Sequence, residues 1–283
     1  MTDTTAPGVV LITGTSSGIG LATAIAAAKA GWTTVATLRN PTRAGALERA
    51  AAEASVTLDI RALDVTDLDS IRACVTRLVA DHGTLDALVN NAGAAHLGTI
   101  ENEDLAAFRA CVEVNFFGVV QMTQAAMPHL RASGGRLVTV SSVGGVVGQP
   151  FNEAYCAAKF AVEGFCEALA PVAAAVGVRV SLVEPGAVAS EFVVNAGLDP
   201  VALVASAGAY GAVLQRYLER TTQRFSTAAQ SASEVADVIV GLLAADQPPL
   251  RVQTSEASRA FVATKLSDLD GANVSAMVSK SIS

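Results

Sequence analysis

Tyr155 and Lys159 carry side chains whose types and spacing suit proton transfer. Because they lie four residues apart, they share one face of a helix, where an ammonium group favours the ionised form of a nearby phenol. A free tyrosine has a pKa of about 10 and exchanges protons poorly at neutral pH. We expect Lys159, together with a cationic nicotinamide ring, to lower the pKa of Tyr155 toward the range of general acid–base catalysis. With Ser142 thirteen residues upstream, the pattern indicates hydride-transfer chemistry.

A glycine-rich turn near the start of the chain provides a place for a dinucleotide. It follows the apolar run Val9 to Ile12 and precedes the alanine-rich stretch Leu21 to Ala30, which predicts a buried strand, a tight turn and a helix. Glycines in such a turn let backbone N–H groups and the helix N-terminus approach a pyrophosphate, and here they are Gly14, Gly18 and Gly20. The alternative is that these glycines serve only the turn and its packing.

The end of the second predicted strand distinguishes NADP from NAD. An acidic side chain there accepts a hydrogen bond from the ribose 2′-hydroxyl, whereas an arginine pairs with a 2′-phosphate. The residues at this point are Leu38, Arg39 and Asn40, with no carboxylate among them. We therefore expect NADP(H) to be preferred, with NAD(H) as the second cofactor. An arginine that only covers the adenine face is the alternative reading.

The elements that must position these residues alternate between strands and helices. Apolar runs predict strands at 9–12, 33–38, 56–63, 85–90, 137–141, 178–184 and 250–253, and helical stretches separate them. Ser231 and Glu234 have the spacing of a capping box at the start of the last of these helices. The alternation predicts an α/β fold of the Rossmann type, a doubly wound parallel sheet of about seven strands.

Composition limits the classes of function. The chain has 283 residues, 51% of them hydrophobic, and we expect one domain over residues 1–283. A net charge of -7 argues against nucleic-acid binding. The four cysteines and three histidines lack metal-ligand spacing, so we expect reduced thiols and no metal site. No apolar run reaches the ~18 residues of a membrane span, and residues 1–8 do not read as a secretory signal, so a cytoplasmic protein is expected.

The strand rhythm stops between about residues 186 and 232. Ligands bind beyond the carboxyl ends of the strands in this type of fold, so an insertion after Glu184 would cover the active site. We interpret it as a substrate lid, with a purely structural helical subdomain as the alternative. It supplies apolar side chains at Phe192, Leu198, Leu203, Tyr210, Leu214, Tyr217 and Phe225. The polar tail at about 254–283 is expected to be partly ordered at most.

Five motifs in order resemble the short-chain dehydrogenase/reductase family over nearly the whole chain. The family's cofactor turn, N-N-A-G segment, asparagine and S…Y-x-x-x-K set correspond to Thr13 to Gly20, Asn90 to Gly93, Asn115, Ser142, Tyr155 and Lys159. The resemblance implies that Ser142 holds the substrate carbonyl, Tyr155 exchanges the proton, Lys159 grips the nicotinamide ribose, and Asn115 holds a water. It also implies a homodimer or homotetramer. The implied cofactor-binding residues are Gly14, Thr15, Ser16, Ser17, Gly18, Ile19, Gly20, Arg39, Asp64, Val65, Asn91, Ala92, Gly93, Tyr155, Lys159 and Val188.

The stretch from Ser142 to Gly164 is similar to the subgroup of this family that contains estradiol 17β-dehydrogenase type 1 and the photoreceptor retinol dehydrogenases. This likeness implies a large apolar alcohol or ketone as substrate, first of all the 17β-hydroxyl of a steroid such as estradiol or testosterone. The implied substrate-binding residues are Ser142, Val143, Gln149, Asn152, Tyr155, Phe192 and Phe225. The estradiol enzyme's histidine and glutamate anchors align with Ala212 and Lys280, so recognition of a phenolic ring is expected to be relaxed.

Two other functions remain open from the sequence. One is a retinol or general carbonyl reductase, which the same catalytic set would serve. The other is a non-catalytic sensor of dinucleotides, since a fold does not fix a function. Such a regulator has no need of both Tyr155 and Lys159, and their presence favours an enzyme.

Overall fold

The computed structural model describes residues 8–189, 197, 199–268 and 272–280. Its centre is a parallel seven-stranded sheet with the order β3-β2-β1-β4-β5-β6-β9, as the alternating pattern predicts. The switch in direction of winding lies between β1 and β4, beside the glycine turn. The strands of this sheet are β1 Val9–Thr13, β2 Thr33–Leu38, β3 Asp59–Ala62, β4 Ala87–Asn90, β5 Arg136–Val140, β6 Arg179–Glu184 and β9 Arg251–Gln253.

Helices cover both faces of the sheet, which explains the continuous apolar character of its strands. All five residues of β1 are buried; Val9 and Leu11 belong to one apolar cluster, and Val10 and Ile12 belong to another on the opposite face. The helices are α1 Gly18–Lys29, α2 Gly45–Glu53, α3 Leu68–His82, α4 Leu105–Val112, α5 Gly118–Ser133, α6 Glu153–Ala174, α7 Pro200–Ser206, α8 Gly211–Ala228, α9 Ala232–Ala244, α10 Glu256–Leu266 and α11 Ala272–Ser279. The doubly wound single domain is thus confirmed.

Two local predictions differ in accuracy. The capping box at Ser231 and Glu234 is present, with both reciprocal hydrogen bonds formed at the start of α9. The third strand is shorter than the predicted 56–63 and spans Asp59–Ala62, because its residues are only partly buried at the edge of the sheet.

One helical stretch, Leu105–Ser133, is long and apolar enough by length and composition to cross a membrane. It comprises α4, a π-helical segment Glu113–Phe117 and α5. The side chains of Val119, Met122 and Leu130 lie in the apolar cluster on one face of the sheet. Part of its apolar character is therefore used in packing α5 against the sheet, although only 28% of its most apolar window is buried.

The region between Glu184 and α9 is mostly helical, as the lid interpretation expects. Val188–Ala189 (β7) pairs with Gln230–Ser231 (β8) and closes the base of this region. Between them α7 and α8 pack over a small apolar cluster formed by Phe151, Ala207, Leu214 and Tyr217. Phe192, predicted to bind the substrate, and Leu198, named as an apolar residue of the lid, lie outside the described residues. A covering function for this region stays a prediction.

The C-terminal region has more regular structure than its polar composition suggested. α10 and α11 occupy much of the predicted tail, and Ser258 and Val262 of α10 are buried. Ser258 lies close to Gly186, where an added Cβ would approach the Ser258 Oγ to 2.7 Å. The tail was expected to be partly ordered at most, and within it the contact of Ser258 with the segment after β6 holds α10 in place.

Candidate active site

Ser142, Gln149 and Tyr155 converge around Gly144. A Cβ at position 144 would lie 3.2 Å from Gln149 Nε2, 3.3 Å from Ser142 Oγ and 3.4 Å from Tyr155 Cε1. Ser142 follows β5 and caps a 3₁₀ turn, accepting a hydrogen bond of 3.0 Å from Gly144 N–H. Tyr155 projects from the first turn of α6, within hydrogen-bonding reach of Ser142. The structure therefore brings the predicted carbonyl-binding and proton-exchanging groups together.

Lys159 lies one helical turn after Tyr155 on α6, as the sequence predicts. Its Nζ donates a hydrogen bond of 3.0 Å to the carbonyl of Val140, at the end of β5, and lies 5.8 Å from the Tyr155 ring centroid. The side chain is 4% exposed, and burial lowers the pKa of Lys159 to about 8. The protonated form of Lys159 therefore still predominates at neutral pH, and its charge lies beside the phenol of Tyr155.

The pKa of Tyr155 is raised in the protein by itself. Burial raises the pKa of Tyr155 to about 12, and the hydrogen bond with Ser142 opposes that rise. In the protein by itself, desolvation of the phenolate outweighs the attraction of the ammonium group of Lys159, which donates to a backbone carbonyl. The predicted lowering concerns the site with the cationic nicotinamide ring bound and stays a prediction. The hydrogen bond with Ser142 lowers the pKa of Tyr155 and so favours the phenolate.

Asn115 is held by a π-helical turn that interrupts the helix between α4 and α5. Its Nδ2 donates hydrogen bonds of 2.9 Å to the carbonyls of Ala94 and Cys111. An added Cβ on Gly93 would lie 2.9 Å from Asn115 Oδ1 and 3.9 Å from Lys159 Nζ. The asparagine, the lysine and the segment after β4 thus meet at one point, and π-helical turns frequently occur at functional sites.

The glycine turn brings backbone close to backbone where β1 meets β4. A Cβ on Gly20 would lie 2.2 Å from the Gly14 carbonyl oxygen, and one on Gly14 would lie 2.7 Å from Ala92 Cα. Asn91 fixes this contact, since its Nδ2 donates to the carbonyls of Thr13 and Gly14 at 2.8 and 3.0 Å. Gly14 and Gly18 have φ values of 71° and 55°, which favour glycine.

The residues of the turn divide into two groups. Ser16 is exposed, and Ser17 and Ile19 are partly exposed at the N-terminus of α1, where N–H groups can meet a phosphate. Thr15 is fully buried, and both its N–H and its Oγ donate to the carbonyl of Thr37, at 2.9 and 3.1 Å. The donors of Thr15 hold β1 against β2, which leaves only its carbonyl for the predicted contact with the cofactor.

Arg39 lies exposed directly after β2. Within the described part of the chain it forms no ion pair, and no carboxylate takes the position next to it. Three further predicted cofactor residues are placed as follows. Asp64 Oδ1 accepts hydrogen bonds from the N–H and Oγ of Thr66. Val65 packs on Gly118 of α5, and Val188 is buried in the sheet core.

These residues fit a nicotinamide dinucleotide. The close approach of backbone at Gly14 and Gly20, the glycine φ values before α1, and the unpaired guanidinium after β2 give a turn for a pyrophosphate and a cation for a 2′-phosphate. The residues that would hold the cofactor are the turn from Gly14 to Gly20, Arg39, Asp64 and the segment Asn91 to Gly93, with Tyr155 and Lys159 at the nicotinamide end.

The predicted substrate residues are placed unequally. Val143 is buried beside Ser142, and Gln149 is partly buried against Gly144. Asn152 donates at 2.8 Å to the hydroxyl of Tyr217 on α8, so it joins the catalytic helix to the lid. Phe225 is 37% exposed on α8 and Phe192 lies outside the described residues.

The sequence placed Thr13, the last residue of β1, in the cofactor turn but gave it no role of its own. Its Oγ accepts hydrogen bonds of 2.9 Å from the N–H groups of both Asn91 and Ala92. The residue is buried and joins the glycine turn to the segment after β4. A hydroxyl at the end of an otherwise apolar strand was the only signal available for it.

Comparisons with known proteins agree with this geometry. A family model described as short chain dehydrogenase matches residues 8–200. Retinol dehydrogenase 8 from Bos taurus is 39% identical over 94% of this chain and 87% of its own length. The 17-beta-hydroxysteroid dehydrogenase type 1 from Homo sapiens is 38% identical over 94% of this chain and 83% of its own length.

Solved structures with the same fold include a short-chain dehydrogenase from Streptomyces avermitilis, with a TM-score of 0.76 and 29% identity over 96% of both chains. A structure of actinorhodin polyketide ketoreductase with NADPH has a TM-score of 0.72 and 29% identity, covering 87% of this chain and 96% of that one.

Proposed function

This chain belongs to the short-chain dehydrogenase family, and we propose that it is an NADP(H)-preferring enzyme that interconverts a secondary alcohol and a ketone on a large apolar skeleton, most favourably at the 17β position of a steroid. The observation that carries the proposal is the convergence of Ser142 and Tyr155 around Gly144, beside an apolar cluster of the lid.

The protein's own groups would act at the oxygen of the substrate. Ser142 Oγ would donate a hydrogen bond to the carbonyl, and Tyr155 would deliver its phenolic proton to the same oxygen during reduction and recover it during oxidation. The nicotinamide cofactor supplies the hydride for reduction and accepts it in oxidation. After proton transfer, the positive charge of Lys159 would stabilise the Tyr155 phenolate. Burial otherwise disfavours this phenolate.

Preference for NADP(H) is supported by the exposed guanidinium of Arg39 after β2. A charge-assisted contact with a 2′-phosphate contributes about 1.5–3 kcal/mol, which corresponds to roughly 10–150-fold in affinity. Titrations with NADPH and NADH should show this difference in the native protein and its loss in Arg39→Ala. Arg43→Ala, which removes an exposed arginine four residues later, is the matched control. Equal affinities in the native protein contradict the preference.

Support for a steroid comes from the relative named for 17-beta-hydroxysteroids and from apolar lid residues such as Leu203 and Leu214. A rigid apolar skeleton gains binding free energy from buried area, at roughly 25 cal/mol per Å² before the costs of association. Measuring kcat/KM for estradiol and testosterone with NADP⁺ tests this. Activity on both, with a modest difference, is expected; inactivity on both refutes the steroid.

Retinoid reduction is the second candidate, favoured by the 39% identity to retinol dehydrogenase 8. The same assay with all-trans-retinal and NADPH distinguishes the two functions. A kcat/KM for retinal well above that for estrone would mean that the pocket under the lid suits a flexible polyene better than a steroid. The roles of Tyr155 and Lys159 would stay as described.

A further inference from the structure

A cavity of about 130 Å³ lies between the segment after β4 and the lid. Its apolar wall is formed by Leu97, Leu203 and Leu214. Its polar wall is formed by His96, Thr99 and Glu103, all from one loop. The cavity therefore combines the two surfaces that an apolar molecule with one polar end requires.

The hydroxyl of Thr99 is the feature that points to a ligand. Thr99 is 6% exposed, and its Oγ has no hydrogen-bond partner among the described residues. A buried hydroxyl without a partner costs about 1–3 kcal/mol, so such groups ordinarily find a protein or ligand atom. The residue lines the cavity, but its Oγ is covered as the side chain stands, so a group that enters the cavity would reach the hydroxyl after rotation of Thr99 about χ1.

His96 and Glu103 form a second polar group in the same wall. His96 Nε2 pairs with Glu103 Oε1, and the Glu103 side chain is only 5% exposed. Gly98 lies next to this pair, since a Cβ there would be in ordinary van der Waals contact with the Glu103 carboxyl group at 3.6 Å. Carboxylate oxygens accept several hydrogen bonds, so one that already binds histidine can still accept from a ligand hydroxyl.

Hydrogen bonds join the loop to Asn115 and to the segment just before α6. Ala94, two residues before His96, binds the side chain of Asn115 through its carbonyl at 2.9 Å. Gly98 N–H donates at 3.1 Å to the carbonyl of Phe151, just before α6 and Tyr155. The lid closes the opposite side, where Asn102 Nδ2 donates at 2.7 Å to the carbonyl of Ser206.

We propose that this cavity, lined by Thr99 and the His96–Glu103 pair, binds the polar end of the substrate that lies away from the reacting carbon. The ligand group is a hydroxyl or a ketone oxygen on an apolar skeleton. Thr99 donates to either group, and Glu103 accepts from a hydroxyl. The inference deepens the proposed function and depends on it; it places a polar anchor on the loop after β4, whereas Ala212 on α8 offers none.

Two matched probes and four variants of the full-length protein test the subsite. The probes are estradiol and its 3-deoxy analogue, which lacks only the distal hydroxyl, each oxidised with NADP⁺. Thr99→Val removes the hydroxyl at nearly constant volume, and Thr99→Ser restores it. Glu103→Gln weakens the acceptor. Thr84→Val is the control, because Thr84 precedes β4 at the opposite edge of the sheet, where its hydroxyl binds Asp86.

The native enzyme should favour estradiol over the deoxy analogue by about tenfold or more in kcat/KM, mainly through KM. Thr99→Val and Glu103→Gln should each reduce this ratio by about tenfold, and Thr99→Ser and Thr84→Val should retain it. If both steroids react and Thr99→Val keeps the native ratio, the subsite is wrong while the proposed function stands. If the native protein oxidises neither steroid, the proposed steroid function and the subsite are both overturned.

Discussion

The proposed catalytic side chains and the proposed lid are held in different ways. Asn115 and Lys159 are almost fully buried and are fixed by hydrogen bonds to backbone carbonyls, Asn115 to those of Ala94 and Cys111 and Lys159 to that of Val140 at the end of β5. No residue of α7 is buried, and the lid region is joined to the rest of the protein by hydrogen bonds from Asn102, Asn152 and Tyr210.

This difference separates chemistry from recognition. Groups fixed to the core open only when the domain unfolds, whereas exposed hydrogen bonds and few buried contacts allow a segment to open locally. We therefore expect changes at the catalytic residues to abolish turnover without affecting the lid. Changes at the lid should alter substrate binding more than the chemical step.

The largest effect is expected from Tyr155→Phe. Loss of the proton carrier should reduce kcat by about 10²–10⁴-fold, while NADPH binding by titration stays near the native value. Tyr210→Phe is the control, because the Tyr210 hydroxyl binds Glu101 at the surface of the lid. A near-native kcat in Tyr155→Phe would contradict the assignment of Tyr155 as the proton donor and acceptor.

Next in size is a contrast in stability. Leu137→Ala creates a cavity in fully buried β5 and should lower the free energy of unfolding by about 2–5 kcal/mol. Val201→Ala changes a side chain that is 79% exposed on α7 and should stay within about 0.5 kcal/mol. Urea titrations measure both. Similar losses for the two variants would show that the lid is part of the cooperative core.

Lys159→Met tests how much the buried charge of Lys159 lowers the free energy of unfolding. Burial lowers the pKa of Lys159 to about 8, so the charged form destabilises the folded state in full below that pH. Between about pH 8 and the ordinary pKa of 10.5, the folded protein binds fewer protons than the unfolded chain, and the cost declines. The variant should be inactive and, at pH 7, more stable than the native protein by an amount on the order of 1 kcal/mol.

The stability advantage of Lys159→Met over the native protein should shrink as the pH rises from 7 to 10. Denaturant unfolding of both proteins at several pH values measures this difference directly. A constant difference across the range would mean that the lysine keeps the same protonation in the folded and unfolded states.

The smallest effect is expected from Tyr217→Phe, which removes the hydroxyl that accepts from Asn152 at 2.8 Å. One such hydrogen bond contributes about 0.5–1.5 kcal/mol, so KM for a steroid should rise by up to about tenfold with little change in kcat. Steady-state kinetics separate the two parameters. A large fall in kcat at constant KM would mean that the lid helps to position Tyr155 for the chemical step.

The sequence predicted much of this arrangement and missed particular parts of it. The glycine turn, the winding of the sheet and the convergence of Ser142 with Tyr155 follow from local patterns and fixed spacings. The order in α10 was not predicted, because it depends on the contact of Ser258 with Gly186, seventy-two residues earlier in the chain.

Residue types and hydrophobic periodicity by themselves determined the fold class, and the resemblance of five motifs to a known family indicated the family and the predicted catalytic residues. These are local properties, and a strand or helix forms where its own residues favour it. The tertiary structure alone decided the sign of the pKa shift of Tyr155, the structural use of Thr13 and Thr15, and the cavity at Thr99. Each of these depends on desolvation and on partners distant in sequence, which only the folded chain brings together.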